Sequence, residues 1–111
     1  MAETFDNASV RLTTANETDI YQAPTGSGEV AIVLSCMVAN VDGTDACKVD
    51  VKLTNSSDTL QSFLCKELSV PAGASVEVIV NKVVLTQSQK IRAEAETAND
   101  LDVTLSALEI T

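Results

Sequence analysis

The sequence contains no histidine and no tryptophan. Without imidazole the usual general base near neutral pH is missing, and with it the Ser-His-Asp arrangement and most transition-metal sites. Phe5, Tyr21 and Phe63 are the only aromatics, so little flat apolar surface exists on which a sugar or a base would stack. Cations are scarce too: 7 Lys and Arg stand against 16 Asp and Glu, for a formal net charge of -9. A phosphate backbone needs clustered Lys and Arg, and an anionic membrane needs them equally. The composition therefore argues against nucleic-acid and membrane partners. The surplus of acid keeps like-charged copies dispersed; a sharper alternative is a face that docks on a basic partner. No apolar run exceeds Val30–Leu34, far short of a bilayer span.

Phosphate-binding motifs are also missing. No G-x-x-x-x-G-K-[ST] occurs, and Gly26-Ser27-Gly28 is a loop with no helix expected after it. The three cysteines, Cys36, Cys47 and Cys65, are separated by 10 and 17 residues, which does not suit a four-ligand zinc site. If Asp42-Gly43 closes a two-residue hairpin, Cys36 lies diagonal to Cys47 at about 7–8 Å, at or beyond disulfide reach. All three are expected to be buried free thiols acting as small apolar residues. The Met-Ala-Glu-Thr start has no basic or apolar leader character, so synthesis in reducing cytoplasm is expected. Asp42, Thr44 and Asp45 are possible Ca²⁺ ligands, but turn-forming aspartates are the commoner case. Glu94 with Glu96 suggests an acid pair without an implied pocket. No cofactor, no metal and no enzymatic activity are expected.

What is present is β-forming sequence. The hydrophobic fraction is 45% in 111 residues, enough for one domain with its own core. With so few aromatics that core must be aliphatic. Residues 1–8 read as a flexible N-terminal arm and 9–111 as one domain. Strands are expected at Ser9–Thr14, Thr18–Ala23, Glu29–Asn40, Ala46–Thr54, Leu60–Lys66, Ser75–Val80, Val83–Thr86, Lys90–Glu96 and Leu101–Ile110. The cleanest alternation is Cys47, Val49, Val51 and Leu53 inward against Lys48, Asp50, Lys52 and Thr54 outward. In Glu29–Asn40 both faces are mostly apolar, with Val30, Ile32, Leu34, Cys36 and Val38 on one and Ala31, Val33, Ser35, Met37 and Ala39 on the other. That marks a central strand whose second face is covered by a partner. Asp42-Gly43 is a strong hairpin signal, Asn55-Ser56-Ser57-Asp58 is a turn cluster, and Pro71-Ala72-Gly73 breaks the chain. Eight to nine short strands with turns every eight to twelve residues indicate an all-β antiparallel sandwich, jelly-roll or Ig-like.

The order Tyr21-x-Ala23-Pro24, Val38-Ala-Asn-Val-Asp-Gly-Thr44, Val70-Pro-Ala-Gly-Ala-Ser75, Leu85-Thr-x-x-x-x-Ile91-x-Ala93 and Leu101-Asp-Val-Thr-Leu-Ser-x-Leu-Glu-Ile110 resembles small virion structural proteins of tailed phages. The resemblance covers residues 20–110 and departs at Gln87-Ser88-Gln89, where such proteins often have a Gly-Asp turn. It implies a structural protein of the bacteriophage virion, made in the host cytoplasm. The form it favours is a capsid decoration (cement) protein bridging subunits of the major capsid protein, as a homo-oligomer and often a trimer. A tail, neck or collar component is the alternative, and a glycan- or host-surface-binding module a second one. Loops at sandwich ends commonly carry contacts. The expected interaction residues are therefore Phe5 in the arm, Asp42, Gly43, Thr44 and Asp45, and Asn55, Ser56, Ser57 and Asp58.

Overall fold

The computed structural model describes residues 2–111, and every regular element in it is a strand. They are β1 (Glu3–Arg11), β2 (Thr18–Gln22), β3 (Val30–Asn40), β4 (Cys47–Thr54), β5 (Leu60–Val70), β6 (Ser75–Glu77), β7 (Val83–Leu85), β8 (Lys90–Ala95) and β9 (Leu101–Ile110). One sheet has the order β1-β9-β3-β6, with β7 also on β3; the other has the order β2-β8-β4-β5. All pairings are antiparallel. With β6 and β7 taken as one interrupted strand, β4 and β5 form a central hairpin. Outward from it, β3 pairs β6/β7, β2 pairs β8 and β1 pairs β9, in alternate sheets. That is the jelly-roll order, and it decides between the two sandwich topologies the sequence allowed.

The core is aliphatic and lies between the sheets. Val33, Val38, Val49, Val51, Ile91, Leu101, Val103 and Leu105 are all fully buried. β4, β8 and β9 alternate as a half-buried strand must, because one face meets this core and the other meets solvent. Cys36 and Cys47 are buried and Cys65 is half-buried; all three are free. Burial pushes the Cys36 thiol up to about 12, with the nearby Glu77 carboxylate adding to it, so it packs as a small apolar residue.

Four expectations are corrected. Residues 3–8, read as an arm, are the greater part of β1, which pairs with β9 in unbroken register from Glu3↔Ile110 to Arg11↔Asp102. Their partner lies about a hundred residues away, so no local pattern announced it; Met1 lies outside the described residues. Second, Asp42-Gly43 does not close a hairpin. β3 and β4 belong to different sheets, and Gly43 is not among the positive-φ residues. The crossing is held by Asn40, 3% exposed. Its Nδ2 donates to the Asp45 and Val70 carbonyls at 2.9 Å each, and its Oδ1 accepts the Asp42 N–H at 2.9 Å. Third, the two faces assigned to β3 exchange halfway. The register against β9 shifts between Val33 and Ser35, so Leu34 is an extra residue. Ala31 and Val33 point inward before the bulge, and Cys36, Val38 and Asn40 after it. Fourth, Thr54, read as outward, is fully buried, while Leu53 is partly buried and packs against the core as expected.

The β3 bulge has a counterpart on its other side. β7 pairs with Ala31–Val33 and β6 with Met37–Ala39, leaving a gap in the ladder. The Glu77 carboxylate fills it, accepting the Cys36 N–H at 2.7 Å and the Ile79 N–H at 3.2 Å, while Val78 N–H donates to the Cys36 carbonyl at 2.8 Å. A bulge in β2 does similar work. Ile20 is the extra residue between Asp19 and Tyr21, which lets consecutive Ile20 and Tyr21 both enter the core.

Candidate assembly surface

The outward face of the β1-β9-β3-β7 sheet carries the most distinctive surface of the molecule. Register places Phe5 opposite Leu108, Leu108 opposite Ile32, and Ile32 opposite Val84. One apolar row therefore crosses four strands. Val30 and Ile110 face each other one pleat nearer the strand ends, and Met37 lies farther along β3, 44% exposed. Phe5 is 77% exposed and Val84 56%. Ile32, Leu108, Val30 and Ile110 are half-buried by their neighbours in the sheet, yet none belongs to the core or packs against it. A shallow depression of about 260 Å³, bordered by Phe5, Asn7, Leu34 and Ser106, adjoins the row.

Charge is sparse around it: Glu3 lies opposite Ile110 and Glu77 opposite Met37, and Asp6 borders the depression. The remaining outward positions of β9 are Thr104, Ser106 and Asp102, and Asp102 is neutralised by Arg11 through bonds of 2.6 and 3.0 Å. The hydrogen bond from Arg11 holds the Asp102 carboxyl below the usual range, against a smaller opposing effect of burial. Half-exposed aliphatics such as Ile32 and Leu108 gain about 1 kcal/mol each on being covered, and Phe5 about 2 kcal/mol. The whole row thus supplies several kcal/mol to any partner that covers it.

The expected interaction residues do not converge. Phe5 and the Asn55–Asp58 loop lie at the end of the sandwich that holds Ala2, Thr111 and the 23–29 loop; the Asp42–Asp45 connection lies at the opposite end. The side chains of both loops are used locally. Asn55 Oδ1 accepts the Ser57 and Thr59 N–H groups at 2.9 and 3.0 Å. Asp42 accepts the Asp45 N–H at 3.1 Å and the Thr44 hydroxyl at 3.3 Å. Asp58, with φ 65°, turns back to Lys90 at 2.8 Å. Phe5 is the one expected residue within the apolar row. The rest of the row was missed because its members are distant in sequence and only register aligns them.

Glu94 and Glu96 border a cleft of about 230 Å³ with Lys48, Asp50, Glu67 and Ala95. Three of its four carboxylates are tied to the scaffold: Asp50 accepts the Glu67 N–H at 2.6 Å, Glu96 the Lys48 N–H at 3.3 Å, and Glu94 lies 3.7 Å from Lys52. Among the described residues no group of three or more His, Cys, Asp or Glu is placed to hold a metal ion. Tyr21 is buried in the core, its hydroxyl donating to Glu109 Oε2 at 2.5 Å. Burial, then the Glu109 bond, raises its pKa, and its ring is withdrawn from any ligand.

No protein-family model matches the chain, and no curated protein matches it in sequence. Solved structures do match in fold. A chain in the acidic, stable capsid structure of Helicobacter pylori bacteriophage KHP30 superposes with a TM-score of 0.56 at 15% identity, covering 100% of this chain and 89% of that one. A chain of the Bacillus endospore appendages, described as a family of disulfide-linked pili, gives 0.57 at 12% identity, covering 98% and 88%. At these identities the likeness is one of fold.

Proposed function

We propose that the chain is a structural protein of a virus particle, a capsid decoration protein that seats its β1-β9-β3-β7 face on the major capsid protein and bridges neighbouring capsid subunits. The observation that carries this reading is the uncharged apolar row Phe5-Leu108-Ile32-Val84, which crosses four strands and is left uncovered by the described residues. The jelly-roll likeness to a phage capsid chain supports it at the level of fold. So does the local use of the acidic side chains, which leaves packing rather than catalysis as the work of the surface. Covering the row adds apolar contacts across the joints of the shell, so expansion or internal pressure must break those contacts as well.

A tail, neck or collar component would use the same face on a different ring of partners. The glycan-binding alternative loses its best platform, because Tyr21 is inside the core. Cryo-electron microscopy of the purified particle tests the proposal. Density for this chain over the shell, with the Phe5 face toward the capsid subunits, is expected. Absence of the chain from purified virions overturns the particle role, and density at the tail or neck selects the alternative.

A further inference from the structure

The two sheets have four edges, and three of them are blunted. β2 has five residues and the Ile20 bulge. β5 has three register irregularities, an exposed Lys66 and a left-handed Glu67 with φ 52°. β6 and β7 have three residues each, with a loop between them. β1 is the least guarded: it runs nine residues in unbroken register, without a bulge, a proline or a lysine, and its one guard is the Asp6 carboxylate on the Asn7 N–H. Natural sheets blunt their exposed edges because an open edge recruits another strand.

The backbone shows which groups are free. Ala2 and Thr111 exchange both N–H···O bonds, at 2.8 and 2.9 Å, and Leu12 N–H donates to the Leu101 carbonyl at 2.9 Å. Antiparallel ladders alternate, so the even-numbered residues of β1 bond to β9. The N–H and C=O groups of Glu3, Phe5, Asn7, Ser9 and Arg11 then face away from the sheet. One of these is capped within the chain: the Asp6 carboxylate accepts the Asn7 N–H at 2.8 Å.

We propose that β1 pairs antiparallel with β1 of a second copy of this chain, across a two-fold axis at Asn7. Asn7 then faces Asn7, Phe5 faces Ser9, and Glu3 faces Arg11 at both ends of the ladder. A register shifted by two residues either way leaves Glu3 or Arg11 without its opposite charge, so complementarity selects this one. Arg11 has donors to spare beyond its two bonds to Asp102. Directly opposed residues share a face, so the outward faces of the two sheets become one surface, on which the Phe5 row of each copy runs into the Ser9-Thr104-Met37 line of the other. This pairing goes beyond the particle role and stands without it. It also replaces the trimer implied by the resemblance with a two-fold contact.

Sedimentation equilibrium of the full chain in about 0.15 M salt, where surface repulsion is screened beyond roughly 8 Å, will show twice the chain mass as concentration rises. Asp6→Ala, which removes the cap and an acid, will tighten association about fivefold. In a Cys65→Ser background, Asn7→Cys will cross-link to itself under mild oxidation, because opposed residues of a hydrogen-bonded pair lie about 5.5 Å apart, within disulfide reach. Ser9→Cys, which faces Phe5, will not. A single-chain mass at every soluble concentration, a trimer, or equal cross-linking at positions 7 and 9 overturns the pairing. Absence from virions bears on the particle role alone, and failure of the cross-link at position 7 bears on the edge alone.

Discussion

The two sheets share one core but turn opposite faces outward. The outward side chains of β4 and β8 are Lys48, Asp50, Lys52, Lys90, Arg92 and Glu94, all charged. Four of them, Lys52, Lys90, Arg92 and Glu94, form a connected network with Glu17, Asp19 and Asp58: Lys52 and Arg92 both reach Glu17, Lys52 lies 3.7 Å from Glu94, Arg92 reaches Asp19 at 2.5 Å, and Lys90 bridges Asp19 at 3.2 Å and Asp58 at 2.8 Å. The outward side chains of β9 and β3 are mostly Ser, Thr, Leu, Ile, Val and Met. Most of the chain's few cations are thus spent on one face, where a solvated ion network contributes little stability per pair but keeps that face in water. The other face holds little charge, the paired Arg11 and Asp102 and the edge residue Glu3, which suits a surface for contact, since burying an unpaired charge costs more than covering Ile or Leu returns. The lesson is that the acidic composition describes one face and conceals the other.

The largest effect should come where the two sheets are joined. Asn40→Ala removes three hydrogen bonds and strands two carbonyls beneath the β3–β4 crossing, so a loss of about 3 kcal/mol is expected. It is read as a lower urea midpoint at unchanged m-value; an unchanged midpoint would mean that the faces are not parts of one cooperative unit. The faces themselves can be set against each other. Ile32→Lys should leave stability within about 1 kcal/mol while abolishing association with the particle. Arg92→Met should cost about 1 kcal/mol, the network being partly exposed, and leave association intact. Binding of each variant to particles that lack the chain, beside its thermal melt, tests the contrast, and the opposite pattern would sink it.

The smallest effect is in pH. Burial raises Asp19, but the hydrogen bonds from Arg92 and Lys90 outweigh it and hold the carboxyl below its ordinary value; Asp102 is likewise lowered by Arg11. Groups depressed in the fold contribute stability above their unfolded pKa of about 3.9, and that stability is lost as pH falls through the folded values. Both sites are largely exposed, so a few tenths of a kcal/mol each is expected to disappear below about pH 4. Arg11→Met should flatten the Asp102 share of that loss in acid titration followed by circular dichroism, and Arg92→Met the share of Asp19. An unaltered acid limb in both would show that neither pair is felt.

Much of the sandwich was legible because half-buried strands write their environment in alternation. β4, β8 and β9 each have period two, and β9 places Val103, Leu105 and Ala107 inward as its sequence indicates. β3 was legible as a central strand but not in its facing, because one extra residue at Leu34 reverses every side chain after it. β1 was illegible before Ser9. Its residues 3–8 are polar apart from Phe5 and Ala8, and are held by a backbone ladder to β9 rather than by burial. Asp42-Gly43 misled because turn propensity is local, whereas Asn40 decides the crossing by reaching across to Val70.

By itself the sequence determined the class of the molecule: an all-β, aliphatic-cored, histidine-free acidic chain whose central strand is apolar on both faces. Composition and period are enough for that, since burial and backbone preference act residue by residue. The tertiary structure alone decided the jelly-roll order, the open β1 edge and the row Phe5-Leu108-Ile32-Val84. Each depends on the register between strands up to a hundred residues apart, and register is a property of the assembled sheet that no single segment carries.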